Sequence, residues 1–308
     1  MIGELLRSLQ SQVVSPQTLE AFDSHFASCQ AVFPPHCQIY HPQPLEPRHL
    51  SPICQLQNCR IVLHRHNLTT SCALEIRRSA IVSCVQAAKE TVHLLQRVRQ
   101  YQPPAPLTWE DCVAAASSTM VCTHIWRCIL FLCFSALYDE ALVCVDICSA
   151  IGELRLANIA CGRNIYGFLR LLALRVAQNA DLMHDEMMVA LVSGDLQGST
   201  ESSWVWNGSQ TGSALANQSS TGGAGQTKKD SGLRQESNSN SLSLEERKEW
   251  GGWAHVADVI KQLKREKEQR RTPPAPSLHP PHKYDSTTVN VVAAAATSSS
   301  RISIANII

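Results

Sequence analysis

Thirteen cysteines and twelve histidines are the residues of this 308-residue chain with the most obvious capacity for chemistry, as zinc ligands, disulfide partners or nucleophiles. The cysteines stand at positions 29, 37, 54, 59, 72, 84, 112, 122, 128, 133, 144, 148 and 161. No two of them are separated by two residues, so the CxxC knuckle that points two thiolates at one ion is absent. Cys144 and Cys148 fall one turn apart on an expected helix, but so do Cys84 and Ala88, and Cys128 and Leu132. The same faces therefore hold ordinary core residues, and the spacing predicts thiols that pack as small hydrophobes. An odd number cannot pair completely within one chain, and Glu4 and Arg7 interrupt any secretory apolar run near Met1, so a reducing compartment is expected. On this reading the chain carries no metal ligand, no cofactor-binding residue and no catalytic residue.

The histidines read similarly. His64 and His66, two apart, do not share a helix face and suit a helix end better than a common ion. His124, close to Trp126 and Arg127, is expected in the interior. Together with Arg163 it gives a candidate buried polar cluster of His124, Arg127 and Arg163. Such a cluster can line a ligand pocket or supply the hydrogen bonds and ion pairs that fix helix packing. The sequence has no His-Glu-x-x-His, no Gly-x-Ser-x-Gly and no phosphate-binding loop, and Gly222-Gly223-Ala224-Gly225 lies in low-complexity sequence. A thiol-dependent enzyme stays open as an alternative, with nothing marking its nucleophile.

Charge excludes other classes. Lys and Arg number 27 against 26 Asp and Glu, and charged residues make up 17% of the chain, which fits neither a highly charged disordered protein nor a basic nucleic-acid coat. The most apolar stretch, Cys112 to Leu137, is split by Arg127 and followed by Asp139-Glu140. A buried core helix is expected there rather than a membrane span, and no membrane partner is expected.

The elements that must position these residues are helices. Between Ile53 and Ser193 the only prolines are Pro103, Pro104 and Pro106, and the only glycines are Gly152, Gly162 and Gly167. Ser15-Pro16 and Ser51-Pro52 read as helix starts, the second helix running to about His66, with an extended stretch from Pro34 to Pro47 between them. Ile81, Val85, Ala88, Val92 and Leu95 form one face of a helix from Ile76 to about Arg99. Thr108 and Asp111 resemble a capping box that opens a helix from Trp109 to about Phe134. Asp139 starts another that stops at Gly152, with Leu142, Val145, Cys148 and Ile151 toward the core. Asn158 is expected to cap the next, to about Asn179, and a last one runs from about Asp181 to Val192.

The texture then changes. From Gly208 to Ser243, Ser, Gly, Gln, Thr and Asn supply 25 of 36 residues, a composition unable to bury enough apolar surface to offset its chain entropy. The expected organisation is an all-α, multi-helix, solenoid-like packed domain over 1–196, a disordered linker over 197–249, a short amphipathic helix over 250–271 and a Pro-rich, small-residue tail over 272–308. Trp253, Val256, Ile260 and Leu263 lie on one face of that late helix, a docking face for the helical body or for a partner groove. Its basic side, from Lys261 to Arg271, reads as solvated or as a nuclear-localisation element.

Several stretches carry a resemblance. His36-Cys37-Gln38-Ile39-Tyr40 and Leu45-Glu46-Pro47-Arg48 lead through Leu56-Gln57-Asn58-Cys59-Arg60 to Leu63-His64-Arg65-His66-Asn67-Leu68. Cys122-Thr123-His124-Ile125-Trp126-Arg127-Cys128 follows, with Leu130-Phe131-Leu132-Cys133-Phe134, Ala150-Ile151-Gly152-Glu153-Leu154-Arg155 and Asn158-Ile159-Ala160-Cys161-Gly162-Arg163-Asn164. Val192 to Ser199, Trp204-Val205-Trp206, Trp250-Gly251-Gly252-Trp253 and Arg301 to Ile308 extend the match. In this order the chain resembles the fungal-specific transcription factor domain, the middle homology region of fungal zinc-cluster regulators.

The resemblance implies an all-α regulatory domain of a nuclear transcription factor that acts on RNA polymerase II transcription through a small-molecule effector or transcriptional co-regulators. In that family zinc and DNA are held by an N-terminal cluster of six cysteines. This sequence has none of its cysteine pairs, so DNA binding and zinc are expected only through a missing N-terminal cluster. An α-helical adaptor unrelated to DNA is the other alternative.

Overall fold

The computed structural model describes residues 13–69, 72–193 and 250–271. Among them there are nine α-helices and no strand. Helix α1 (Pro16–Ala31) starts as the sequence predicts: the Ser15 hydroxyl accepts from the Thr18 N–H at 3.1 Å, with Pro at the first helical position. The stretch after it is less extended than expected, because Pro35–Cys37 and Pro47–His49 each form a 3₁₀ turn. The second turn runs straight into α2 (Leu50–Arg65), so this helix starts before the Ser51-Pro52 signal. Pro52 then sits in the first turn, where a missing N–H leaves no bond unmade.

Helix α3 (Leu74–Arg99) buries Ile81, Ala88, Val92 and Leu95. The single helix expected from Trp109 to Phe134 is instead two, α4 (Trp109–Ala116) and α5 (Thr119–Phe134), bent by 109°. The capping box of Thr108 and Asp111 opens α4. Its last turn is closed by Ser117, whose hydroxyl donates to the Val113 carbonyl at 2.7 Å, and the Ser118 hydroxyl caps α5 through the Val121 N–H. Paired serines here satisfy the backbone ends that a continuous helix would not have.

Helix α6 (Tyr138–Ile151) stops at Gly152, whose φ of +57° suits glycine. Helix α7 (Leu156–Ala177) starts two residues before the expected cap. Asn158 is a cap, but for the helix before: its Nδ2 donates to the Cys148 and Gly152 carbonyls, both at 2.8 Å. Helix α8 (Glu186–Ser193) is shorter than expected, because Asp185 rather than Asp181 caps it, accepting from the Met188 N–H at 3.1 Å.

Helix α5 is the centre. Twelve of its sixteen residues are buried, and α2, α3, α6, α7 and α8 all pack on it. Among the described residues no single helix is long and apolar enough to cross a membrane; α4 and α5 reach that length and composition only together, across their sharp bend.

Helix α9 (Gly252–Arg271) lies against α6 and α7 and shares their core. Trp253, Val256, Ile260 and Leu263 are all buried there. The basic side of α9 is only partly solvated. Lys264 Nζ donates to Asp139 at 2.6 Å, Lys267 Nζ to the Ala136 carbonyl at 2.8 Å, and Arg270 to the Val176 carbonyl at 2.6 Å. Trp250 and Trp253 meet edge to face and press on Gly162 of α7, where an added Cβ would stand 2.4 Å from the Trp250 ring. The segments at 197–249 and 272–308, expected as linker and tail, lie outside the described residues.

If α9 is part of the core, truncating it costs what a core truncation costs. Ile260→Ala is expected to lower unfolding stability by about 2–5 kcal/mol. Gly162→Ala, which drives a methyl into the tryptophans, is expected to lower it as well. Urea unfolding of the full chain checks both, and an unchanged midpoint in both variants would show that α9 is not integral.

Candidate functional site

The polar residues expected in the interior sit at helix contacts. His124 on α5 is fully buried, its Nε2 2.9 Å from Thr91 Oγ1 on α3 and 3.6 Å from Cys128 Sγ. The Thr91 hydroxyl proton is directed to the Ala87 carbonyl at 3.0 Å, so the Thr91 oxygen accepts and His124 carries its proton on Nε2. His124 Nδ1 has no hydrogen-bond partner among the described residues. Burial, reinforced by the charge of Arg127, pushes the imidazole down to about 3, so it is neutral at physiological pH.

Arg127 donates from Nη1 to Asn58 Oδ1 on α2 at 2.5 Å and lies over the Trp126 ring. Burial first, then nearby Arg65, lowers its guanidinium to about 10, which leaves it charged. Arg163 is half-buried on α7. Beside it Asn164 accepts from Trp126 Nε1 at 2.7 Å. The structure thus uses His124, Arg127 and the neighbouring Trp126 to fix α5 against α3, α2 and α7.

The cysteines do the packing. Ten of the thirteen are buried; Cys29, Cys59 and Cys112 are half-exposed. Burial raises the thiols of Cys54, Cys84, Cys133, Cys144, Cys148 and Cys161, which keeps them protonated at neutral pH.

A second polar cluster, for which the sequence offered no signal, joins α1, α2 and α3 around Arg60. Its guanidinium holds Asp23 of α1 in a bidentate grip at 2.7 and 3.0 Å and also donates to Glu90 of α3. Gln57 accepts from Arg60 at 3.2 Å, and Gln86 donates to the other Glu90 oxygen at 3.1 Å. His64 Nε2 stands 3.4 Å from Asp23 Oδ1. Burial alone would raise the Asp23 carboxyl, but His64 and Arg60 outweigh it and hold it well below the usual carboxylate range.

Two members of this cluster, Asp23 and His64, line a cleft of about 370 Å³. Glu20 and Asp23 come from α1, His64 and Asn67 from the end of α2 and just beyond, and Ser79 and Ser83 from the first turns of α3. Asn67 fixes one rim, accepting from the Val14 N–H at 3.0 Å and donating to the Val14 carbonyl at 2.7 Å. The lining offers carboxylate and hydroxyl oxygens, with Asp23 already bound to Arg60. Its volume and chemistry suit a small polar molecule that brings hydrogen-bond donors. His124, Arg127 and Arg163 do not line it.

No protein-family model, no curated protein and no solved structure matches the chain.

Two measurements check these assignments. The side chains of Arg60 and Glu90 are each 11% exposed, so Arg60→Ala leaves two poorly solvated carboxylates without their cation. It is expected to cost about 3–5 kcal/mol in urea unfolding. For His124, the unfolded side chain takes up a proton below its ordinary value of 6.5, whereas the folded one does not until about 3. Stability is therefore lost as pH falls across that window, by about 2 kcal/mol between pH 7 and pH 5. His124→Gln is expected to remove that much of the pH dependence; identical slopes in both proteins would contradict a neutral buried imidazole.

Proposed function

We propose that this chain is the regulatory, middle-homology part of a fungal zinc-cluster transcription factor, acting in the nucleus on RNA polymerase II transcription. The observation that carries the reading joins resemblance to geometry. Leu63-His64-Arg65-His66-Asn67, one of the stretches of resemblance, ends α2 and puts His64 and Asn67 on the wall of the cleft. Between them Arg65 reaches away to donate to the Ser193 carbonyl at the end of α8 at 3.0 Å. The same five residues thus finish a helix, line a cleft and join α2 to α8.

In this reading the cleft takes a small polar effector and the helical body passes its binding on to co-regulators. Contact with DNA belongs to a six-cysteine cluster outside these 308 residues, so the chain itself needs no basic surface. The near-zero net charge suits that division. No step of the proposed activity requires bond-making chemistry by the chain.

A reporter assay tests it. The chain is fused to a heterologous DNA-binding domain in a fungal host and its effect on a reporter carrying matching sites is read. A change in transcription is expected, and Ser79→Phe, which fills the exposed mouth of the cleft, is expected to remove any dependence on growth conditions. A reporter indifferent to the fused chain under all conditions would favour an adaptor unrelated to transcription.

A further inference from the structure

Away from the cleft, the two 3₁₀ turns bring together three side chains that a spacing rule cannot pair. His36 and Cys37 come from the first turn and His49 from the second, and one donor atom of each lies within 4.8 Å of the others. The two imidazole rings stand 5.0 Å apart, tilted by 65°. Cys37 is buried, His49 half-buried and His36 exposed, so the group opens to solvent on one side. Glu46 Oε2 lies 3.9 Å from His49 Nε2 and 2.9 Å from the exposed Arg48.

The frame that holds these residues is rigid for a loop. Arg97 of α3 donates to the carbonyls of His36 at 2.6 Å, Gln38 at 2.5 Å and Gln43 at 2.7 Å. Leu45, fully buried, returns its N–H to the Arg97 carbonyl at 3.2 Å. The segment from His36 to Leu45 is thus held on Arg97, by its side chain and by its backbone carbonyl. Such support is what a metal site needs before the ion arrives.

We propose that His36, Cys37 and His49 bind one zinc ion, with the fourth position left to Glu46 or to water. One thiolate and two imidazoles form a borderline-soft donor set that selects zinc over magnesium or calcium, which take oxygen. Tetrahedral zinc with nitrogen and sulfur donors places them about 3.5 Å apart, closer than the present limit. The exposed His36 is free to rotate in and supply the difference. The ion would tie the beginning of α2 to the segment stitched onto α3. The site is independent of the function proposed above and differs from a six-cysteine cluster in taking two imidazoles and a single thiolate.

The test is cobalt titration of the reduced, metal-stripped full chain, followed by displacement with zinc. Binding of one equivalent with a thiolate-to-cobalt charge-transfer band, reversed by zinc, is the expected result, and Cys37→Ser is expected to lose the band. His36→Ala changes an exposed side chain and so preserves the fold; it is expected to weaken the ion by about tenfold or more. Absence of the band in the unmodified protein, its survival in Cys37→Ser, or unchanged affinity in His36→Ala would each overturn the assignment.

Discussion

Helix α5 has almost no side that can be left to water, and the arrangement of the other helices follows from that. A helix apolar around most of its circumference must be enclosed by neighbours. Here α2, α3, α6, α7 and α8 enclose it. Three of its polar side chains are enclosed with it, wholly or in part, and each reaches a different neighbour: His124 reaches Thr91 on α3, Arg127 reaches Asn58 on α2, and Trp126 reaches Asn164 on α7. A buried polar group left unpaired costs about 1–3 kcal/mol. Three such bonds to three helices therefore select one rotation of α5, where apolar contact alone would tolerate several. Cys122, Cys128 and Cys133 fill the remaining space as small side chains.

Most of the helices could be read in the sequence because periodicity and breakers report local physics. The Ser15-Pro16 start, the Thr108–Asp111 capping box, the stop at Gly152 and the apolar face of α9 each depend on a few adjacent residues. The misread boundaries have a common cause. Ser117-Ser118 interrupts a helix inside an apolar run that continues on both sides, so the hydrophobic pattern does not register the bend. Asn158 is recognisable as a cap, but the helix it caps is decided by tertiary placement. The cluster around Arg60 was not legible at all. Asp23, Arg60 and Glu90 are separated by 37 and 30 residues, and each alone looks like part of a solvated helix face. The histidine and cysteine turns were missed for the same reason, since a spacing rule searches one element at a time.

Two stretches far apart in the chain meet in space. Gly162, in the stretch from Asn158 to Asn164, lies under Trp250 and Trp253 of the late Trp-Gly-Gly-Trp stretch. No larger residue fits between α7 and those rings without one of them moving. The stretch from Cys122 to Phe134 supplies α5 itself. Neither the glycine nor the tryptophans would be informative alone; their shared contact gives a physical reason for both.

The cleft and the core are joined through one cation. Arg60 binds Asp23, which faces the cleft, and Glu90, which precedes Thr91, the residue that holds His124. A molecule entering the cleft and engaging Asp23 competes with a bidentate guanidinium already in place. Only a ligand that brings its own cation or several donors can offset that loss, because the poorly solvated Asp23 carboxylate must stay paired. The charge pairing of Arg60 thus ties a residue of the cleft wall to the helix that holds α5.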